Sequence, residues 1–263
     1  MMKKFIFTTA VAALLATTAF GAGFAKTNTY TPGQFADVSE ELWYASSVSA
    51  AYELGFMKGS TDSTFEPEGN MTVAEAITIA SRVNDAYSSK GTAFDQSTGS
   101  NWYDCYVKYA TDNGIITQDQ FDSYDRNITR AEMAVVFSKA VPADYLNAQN
   151  NVKEIPDMPS TNKGFDEVLS LYKAGVVMGN DEYGTFKPNN NIIRAEAAAI
   201  INRVALPENR LKKELVDANY GDAFYLVHEA GRGITGGGQV YNESPWNYET
   251  EVVLQWFPTV QIT

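Results

Sequence analysis

The chain carries one histidine, His228, and one cysteine, Cys105, and this inventory limits its chemistry at the outset. A disulfide within the chain is impossible. A structural zinc takes about four Cys or His ligands, so a cage of that kind is excluded and no metal or cofactor is expected. A Ser-His-Asp or Cys-His centre would have to use His228, near the C-terminus. Cys105 reads as a buried small residue. Gly231-Arg-Gly233-Ile-Thr-Gly236 spells G-x-G-x-x-G, but Gly237-Gly238 and a β-like run follow where a dinucleotide fold needs a helix. The oxygen-rich loops at 60–65 and 180–186 lack the calcium-loop spacing that ends in Glu, and read as turns.

What remains is recognition without covalent chemistry. Arg130 and Arg194 each open an apolar-periodic stretch. An arginine in a first helical turn sits beside unpaired backbone N–H groups and the positive dipole end, which suits an anion. It also grips carboxylates in bidentate fashion. Its alternative role is a structural salt bridge. Trp43 and Trp102 offer flat apolar faces to a sugar ring, or else pack in a core. Asp37, Asp95 and Asp157 can accept hydrogen bonds from hydroxyls, or else cap helices and form turns.

These residues recur in register because the chain repeats. The first copy reads Phe35-Ala-Asp37-Val38, Trp43-Tyr44, Gly55-Phe56-Met57, Phe65-Glu-Pro67 and Met71-Thr-Val-Ala-Glu75. The third reads Ile155-Pro-Asp157-Met158, Phe165, Gly175-Val176-Val177, Phe186-Lys-Pro188 and Ile192-Ile-Arg-Ala-Glu196. The second is more degenerate: Phe94-Asp95, Trp102-Tyr103, Gly114-Ile115-Ile116, Phe121 and Ile128-Thr-Arg-Ala-Glu132.

Each copy reads as helix, loop, helix. The second helices share an i, i+3, i+4, i+7 apolar stripe: Ala76, Ile79, Ala80, Val83; Met133, Val136, Phe137, Ala140; Ala197, Ile200, Ile201, Val204. The first helices show Tyr44, Val48, Ala51, Tyr52 and Phe165, Val168, Leu169, Tyr172. Gly55, Gly114 and Gly175 stand where a left-handed residue ends a helix. Thr72-x-x-Glu75 and Thr129-x-x-Glu132 are capping boxes, and the three signature glutamates read as caps. Ile193 breaks the series, so Asn191 is expected to cap there. A lone two-helix unit cannot bury its stripe, whereas three can around one axis. The expected fold is mainly α: three helix-loop-helix repeats at 35–88, 92–147 and 152–206 in one pseudo-threefold domain.

The flanks differ. Lys3-Lys4, an apolar run from Phe5 to Ala16 and Gly23-Phe24-Ala25 read as a secretory signal over residues 1–25, with Lys26 as the first mature residue. No other stretch qualifies as a membrane span. With 20 basic against 32 acidic side chains, the net charge of −12 argues against a nucleic-acid partner. Residues 207–263 leave the repeat: an exit helix from Glu208 to Val216, then a short β-rich tail with strand-like runs at 223–227, 239–241 and 251–257. About 45 residues is too few for a typical catalytic domain, so no enzyme is expected.

The ordered set F-x-D-V, W-Y, helix-ending Gly, F-x-P and T-R-A-E, in three copies, resembles the S-layer homology domain family. That resemblance implies a three-pronged helical pseudo-trimer at the wall or surface of a Gram-positive bacterium. It implies non-covalent binding of an anionic, pyruvylated secondary cell-wall polysaccharide in grooves between repeats. Arg130, Arg194, Trp43, Trp102, Asp37, Asp95, Asp157, Gly55, Gly114 and Gly175 are the polysaccharide-binding candidates that it marks. Val73 replaces the signature Arg in the first repeat and Phe165 stands near the Trp position in the third, so unequal grooves are expected. The alternative is a structural S-layer subunit that self-associates through its C-terminal strands.

Overall fold

A computed structural model describes residues 24–97 and 99–215 and the strand residues 224–226 and 254–256. The predicted signal therefore lies outside the described residues, except for Phe24 and Ala25. The chain divides into two units, Met1–Met178 with Phe186–Lys213, and Gly179–Thr185 with Glu214–Thr263. Among the described residues no helix is long and apolar enough to cross a membrane.

The first unit is mainly helical. Its helices pair as α1 (Ala45–Glu53) with α2 (Val73–Tyr87), α3 (Asp104–Asp112) with α4 (Arg130–Ser138), and α5 (Phe165–Ala174) with α6 (Arg194–Ala205). The stripes read from the second helices are all buried. In α5, Leu171 is buried with Phe165, Val168 and Tyr172, while Leu169 stays at the edge. The buried face there centres on Val168, which carries Leu171, one turn on, inward. Helix α4 is shorter than α2, nine residues against fifteen. Pro142 bars Val141 from helical backbone, so Ala140 packs just beyond the helix.

The pairs interlock in cyclic order. Each first helix packs on the second helix of the pair before it: α3 on α2, α5 on α4, and α1 on α6. A ring of three backbone hydrogen bonds marks the axis. Met71 N–H donates to Ile192 O at 3.0 Å, Ile192 N–H to Ile128 O at 3.3 Å, and Ile128 N–H to Met71 O at 2.9 Å. All three side chains are fully buried.

Thr72 and Thr129 form the predicted capping boxes with Glu75 and Glu132. At α6 the expectation for Asn191 fails. No side chain accepts at this helix start, because Ile193 has no acceptor; Glu196 only reaches back to the Ile193 N–H at 3.3 Å. Carbonyls of the first pair take over instead: Arg194 N–H donates to Gly69 O and Ala195 N–H to Pro67 O, both at 2.9 Å.

The exit helix is also corrected. A 3₁₀ turn spans Pro207–Asn209, and residues 210–215 are irregular. Leu211 N–H is drawn to Gly175 O at 2.8 Å and Lys213 N–H to Asn150 Oδ1 at 3.1 Å, bonds that a helix could not make. In the second unit β1 (Phe224–Leu226) pairs antiparallel with β2 (Leu254–Trp256), Tyr225 opposite Gln255. These strands fall inside the expected runs at 223–227 and 251–257. The run at 239–241 lies outside the described residues.

Candidate functional site

The signature arginines do not stand at open helix ends. Arg130 N–H donates to Asn190 O at 2.9 Å and Ala131 N–H to Pro188 O at 3.0 Å, with the same pattern at α2 and α6. The third amide of α2 and α4 is taken by the capping threonine. The expected anion site of free N–H groups is therefore closed by the neighbouring pair.

Each arginine instead clasps the next repeat. Arg130 is 6% exposed. Its Nε donates to Phe186 O at 2.8 Å, its Nη1 meets Glu196 Oε1 at 2.7 Å, and its guanidinium lies 5.3 Å from the Phe186 ring. Arg194 repeats the clasp on the first pair: Nε to Phe65 O at 2.8 Å, Nη1 to Glu75 Oε1 at 3.3 Å, and 4.8 Å from the Phe65 ring. Burial pushes the Arg194 guanidinium down, against the pull of Glu75, Glu66 and Asp37.

Val73 leaves the third clasp without its arginine in the usual place. Arg126, of the second pair itself, stands in that place. Its Nη2 meets Glu132 Oε1 at 2.7 Å, its Nη1 meets Oε2 at 3.0 Å, and it lies 5.7 Å from the Phe121 ring. All of these contacts stay within the second pair, so Arg126 takes the arginine's place without tying two repeats together; nothing in the repeat register singles it out. Burial would raise the Glu132 carboxyl, but hydrogen bonds from Arg126 and Thr129 outweigh it and hold it below the ordinary range. A depressed carboxyl stabilises the fold above its unfolded pKa of about 4.3, and that contribution disappears as pH falls through the folded value. Arg126→Ala should cost about 1–2 kcal/mol in urea unfolding at pH 7 and less at pH 3. Val73→Arg should restore part of it; no loss at either pH would refute the clasp.

The aspartates separate into two kinds. Asp37 accepts from Phe65 N–H at 2.8 Å and Glu66 N–H at 2.7 Å. Asp157 accepts from Phe186 N–H at 2.7 Å and Lys187 N–H at 2.6 Å. These bonds hold Glu66 and Lys187 at positive φ, 58° and 60°, where L-residues are strained. Among the described residues Asp95 makes only a local turn bond, from Ser97 N–H at 2.9 Å, because the second repeat has no F-x-P loop to receive it. None of the three caps a first helix.

The helix-ending glycines adopt positive φ as expected, 73°, 69° and 76° for Gly55, Gly114 and Gly175. Their surroundings differ. An added Cβ at Gly55 would meet Thr27 Oγ1 at 2.5 Å and at Gly175 would meet Leu211 O at 2.2 Å, whereas Gly114 has nothing within 4 Å. Two of the three are covered by the chain itself.

Trp43 and Trp102 are 63% and 49% exposed, so neither is a core residue. Counting twelve residues back from each helix-ending glycine gives Trp43, Trp102 and Lys163, so lysine takes the Trp place in the third pair. Phe165 lies inside α5 and is buried. There Gly164 approaches α4 closely: an added Cβ would stand 2.5 Å from Val135 Cγ2.

The cyclic packing decides which groups meet. A groove of about 200 Å³ runs along α2, and its lining includes Lys58, Glu75, Arg82, Trp102 and Arg194. The floor and one wall come from the first pair, the indole from the second and the guanidinium from the third. By the same order Trp43 precedes α1, the helix packed on α6, where Arg130 holds Glu196. The Lys58 ammonium has no partner among the described residues. Arg194 spends three of its five N–H groups on Phe65, Glu75 and Lys58 O. Arg82 donates to Phe56 O at 3.2 Å and Tyr106 Oη at 3.1 Å. Sequence reading missed Lys58, which belongs to no repeated motif, and Arg82, although Arg203 stands at the same register in α6 and donates to Val176 O at 3.3 Å as Arg82 does to Phe56 O.

Thr78 also lines this groove, yet its Oγ1 is enclosed and makes no hydrogen bond. A buried unsatisfied hydroxyl costs about 1–3 kcal/mol. Thr78→Val should raise the urea midpoint by an equivalent of about 1 kcal/mol; a loss would show that the hydroxyl has a partner.

Residues 34–77 and 154–198 match the S-layer homology domain model. The second pair, between these segments, has the same helix order without a match. The chain is 30% identical over 181 residues to cell surface glycoprotein 1 of Acetivibrio thermocellus, covering 62% of this chain and 8% of that protein. It is 30% identical over 161 residues to the cellulosome-anchoring protein of the same organism, covering 56% and 35%. It is 26% identical over 171 residues to S-layer protein sap of Bacillus anthracis, covering 64% and 20%. Two further matched relatives are named as enzymes. The chain thus spans from under a tenth to about a third of the length of these three relatives. Two stretches of its helical unit thus match the S-layer homology domain, and several of the matched relatives are named as S-layer or cell-surface proteins.

Proposed function

We propose that the chain is a non-catalytic module that anchors to the bacterial cell wall. In this reading it holds an anionic secondary cell-wall polysaccharide, pyruvylated, in the groove along α2. The observation that carries this is the meeting there of a half-exposed indole, an unpartnered ammonium and a guanidinium with N–H groups left over. An indole face suits a sugar ring, and the cations suit a carboxylate even on a protein of net charge −12. The anchoring and S-layer names of the relatives support a place at the cell surface.

The test is calorimetric titration of the protein with native and pyruvate-stripped wall polysaccharide. Trp102→Ala and Lys58→Ala should each weaken binding by about ten-fold or more. Trp43→Ala should weaken it less, and stripping pyruvate should abolish it. Equal binding of both polysaccharides would remove the pyruvate claim, and no binding would remove the reading.

One observation favours a second reading, a structural S-layer subunit. Among the described residues the β1–β2 ladder joins two strands of three residues each, and two strands are marginal alone. Self-association through the tail would complete the sheet. Light scattering with and without residues 217–263 decides it; a monomer in both cases rejects this reading.

A further inference from the structure

Phe24 stands two residues before Lys26, the first mature residue on the export-signal reading. It is nevertheless a core residue, 4% exposed. Its ring meets Phe56 edge-on at 5.6 Å, Tyr87 at 6.1 Å and Tyr145 at 6.3 Å. Tyr87 ends α2, and Tyr145 lies in the 3₁₀ turn after α4. Tyr145 Oη in turn donates to Ala205 O, at the end of α6, at 2.8 Å. Phe24 thus closes the end of the bundle where all three second helices finish. The residues that follow are tied down as well. Lys26 pairs with Glu53, and the N–H groups of Thr27 and Asn28 donate to Glu53 O at 2.7 and 3.0 Å. Asn28 Nδ2 donates to Tyr52 O at 2.8 Å.

Signal cleavage asks for small residues one and three places before the cut. Beyond the apolar run three bonds meet this rule: Gly21–Ala22, Gly23–Phe24 and Ala25–Lys26. The third would discard Phe24 and leave its aromatic slot empty. We propose that the export signal is cut at one of the first two bonds, so that Phe24 remains in the mature chain and closes the bundle end. The step is hydrolysis of one peptide bond by a signal peptidase. Water gives its hydroxyl to the new carboxylate of Gly21 or Gly23, and its hydrogen to the new amino group of Ala22 or Phe24.

The proposal rests on export of the chain, not on what the groove binds. The test is to express the full chain in a Gram-positive host and to read the intact mass and N-terminal sequence of the product. Ala22 or Phe24 as the first residue supports the proposal. Lys26 first, or an uncleaved chain, overturns it. A second arm needs no export: thermal unfolding of chains made without the signal, one starting at Phe24 and one at Lys26. Removing a buried phenylalanine ring should lower the melting temperature by on the order of 10 °C. Equal melting temperatures would overturn the structural half of the proposal.

Discussion

Arg130→Ala is expected to destabilise the fold by about 3–5 kcal/mol, the largest effect of any single substitution considered for this protein. Three losses coincide. The Glu196 carboxylate loses its partner at 2.7 Å, the Phe186 carbonyl loses its Nε donor, and the Phe186 ring loses the flat cation packed over it. Because Arg130 is almost wholly buried, water does not replace these contacts. Arg130→Lys should recover little, since an ammonium cannot match the planar fork. Arg130→Met combined with Glu196→Gln should recover much of the loss, because it removes the stranded charge while keeping volume. Urea unfolding with an unchanged slope is the measurement. A loss below about 1 kcal/mol for Arg130→Ala would mean that the clasp is not structural.

Asp157→Ala should cost about 3 kcal/mol, Asp37→Ala a comparable amount, and Asp95→Ala almost nothing. Asp157 and Asp37 each accept two backbone N–H groups from the loop that follows, and hydrogen bonds to a charged group contribute about 1.5–3 kcal/mol. The same bonds hold Lys187 and Glu66 at positive φ. Without the carboxylate that strain has nothing to offset it. Among the described residues Asp95 bonds only Ser97, two positions on. Thermal unfolding of the three variants separates them, with losses of on the order of 10 °C for the first two. Three equal effects would contradict this division.

The sequence by itself determined a good deal of this fold. Local rules produced the helix stripes, the capping boxes of Thr72 and Thr129 and the left-handed glycines at 55, 114 and 175, because each depends on residues within a turn or two. The repeat predicted helix pairs around one axis, since no pair can bury its stripe alone. What only the tertiary structure decided is who meets whom. The cyclic exchange puts Trp102 of one repeat and Arg194 of another over the α2 of a third. No pattern within one repeat encodes that order. The same packing turned Arg130 from an apparent ligand donor into a buried clasp. It closed the helix ends with carbonyls from neighbouring pairs. Backbone bonds to Gly175 and Asn150 outweighed helix propensity after residue 209. Spacing along the chain specifies what lies a few residues away, whereas these contacts join residues up to 136 positions apart; only packing fixes them.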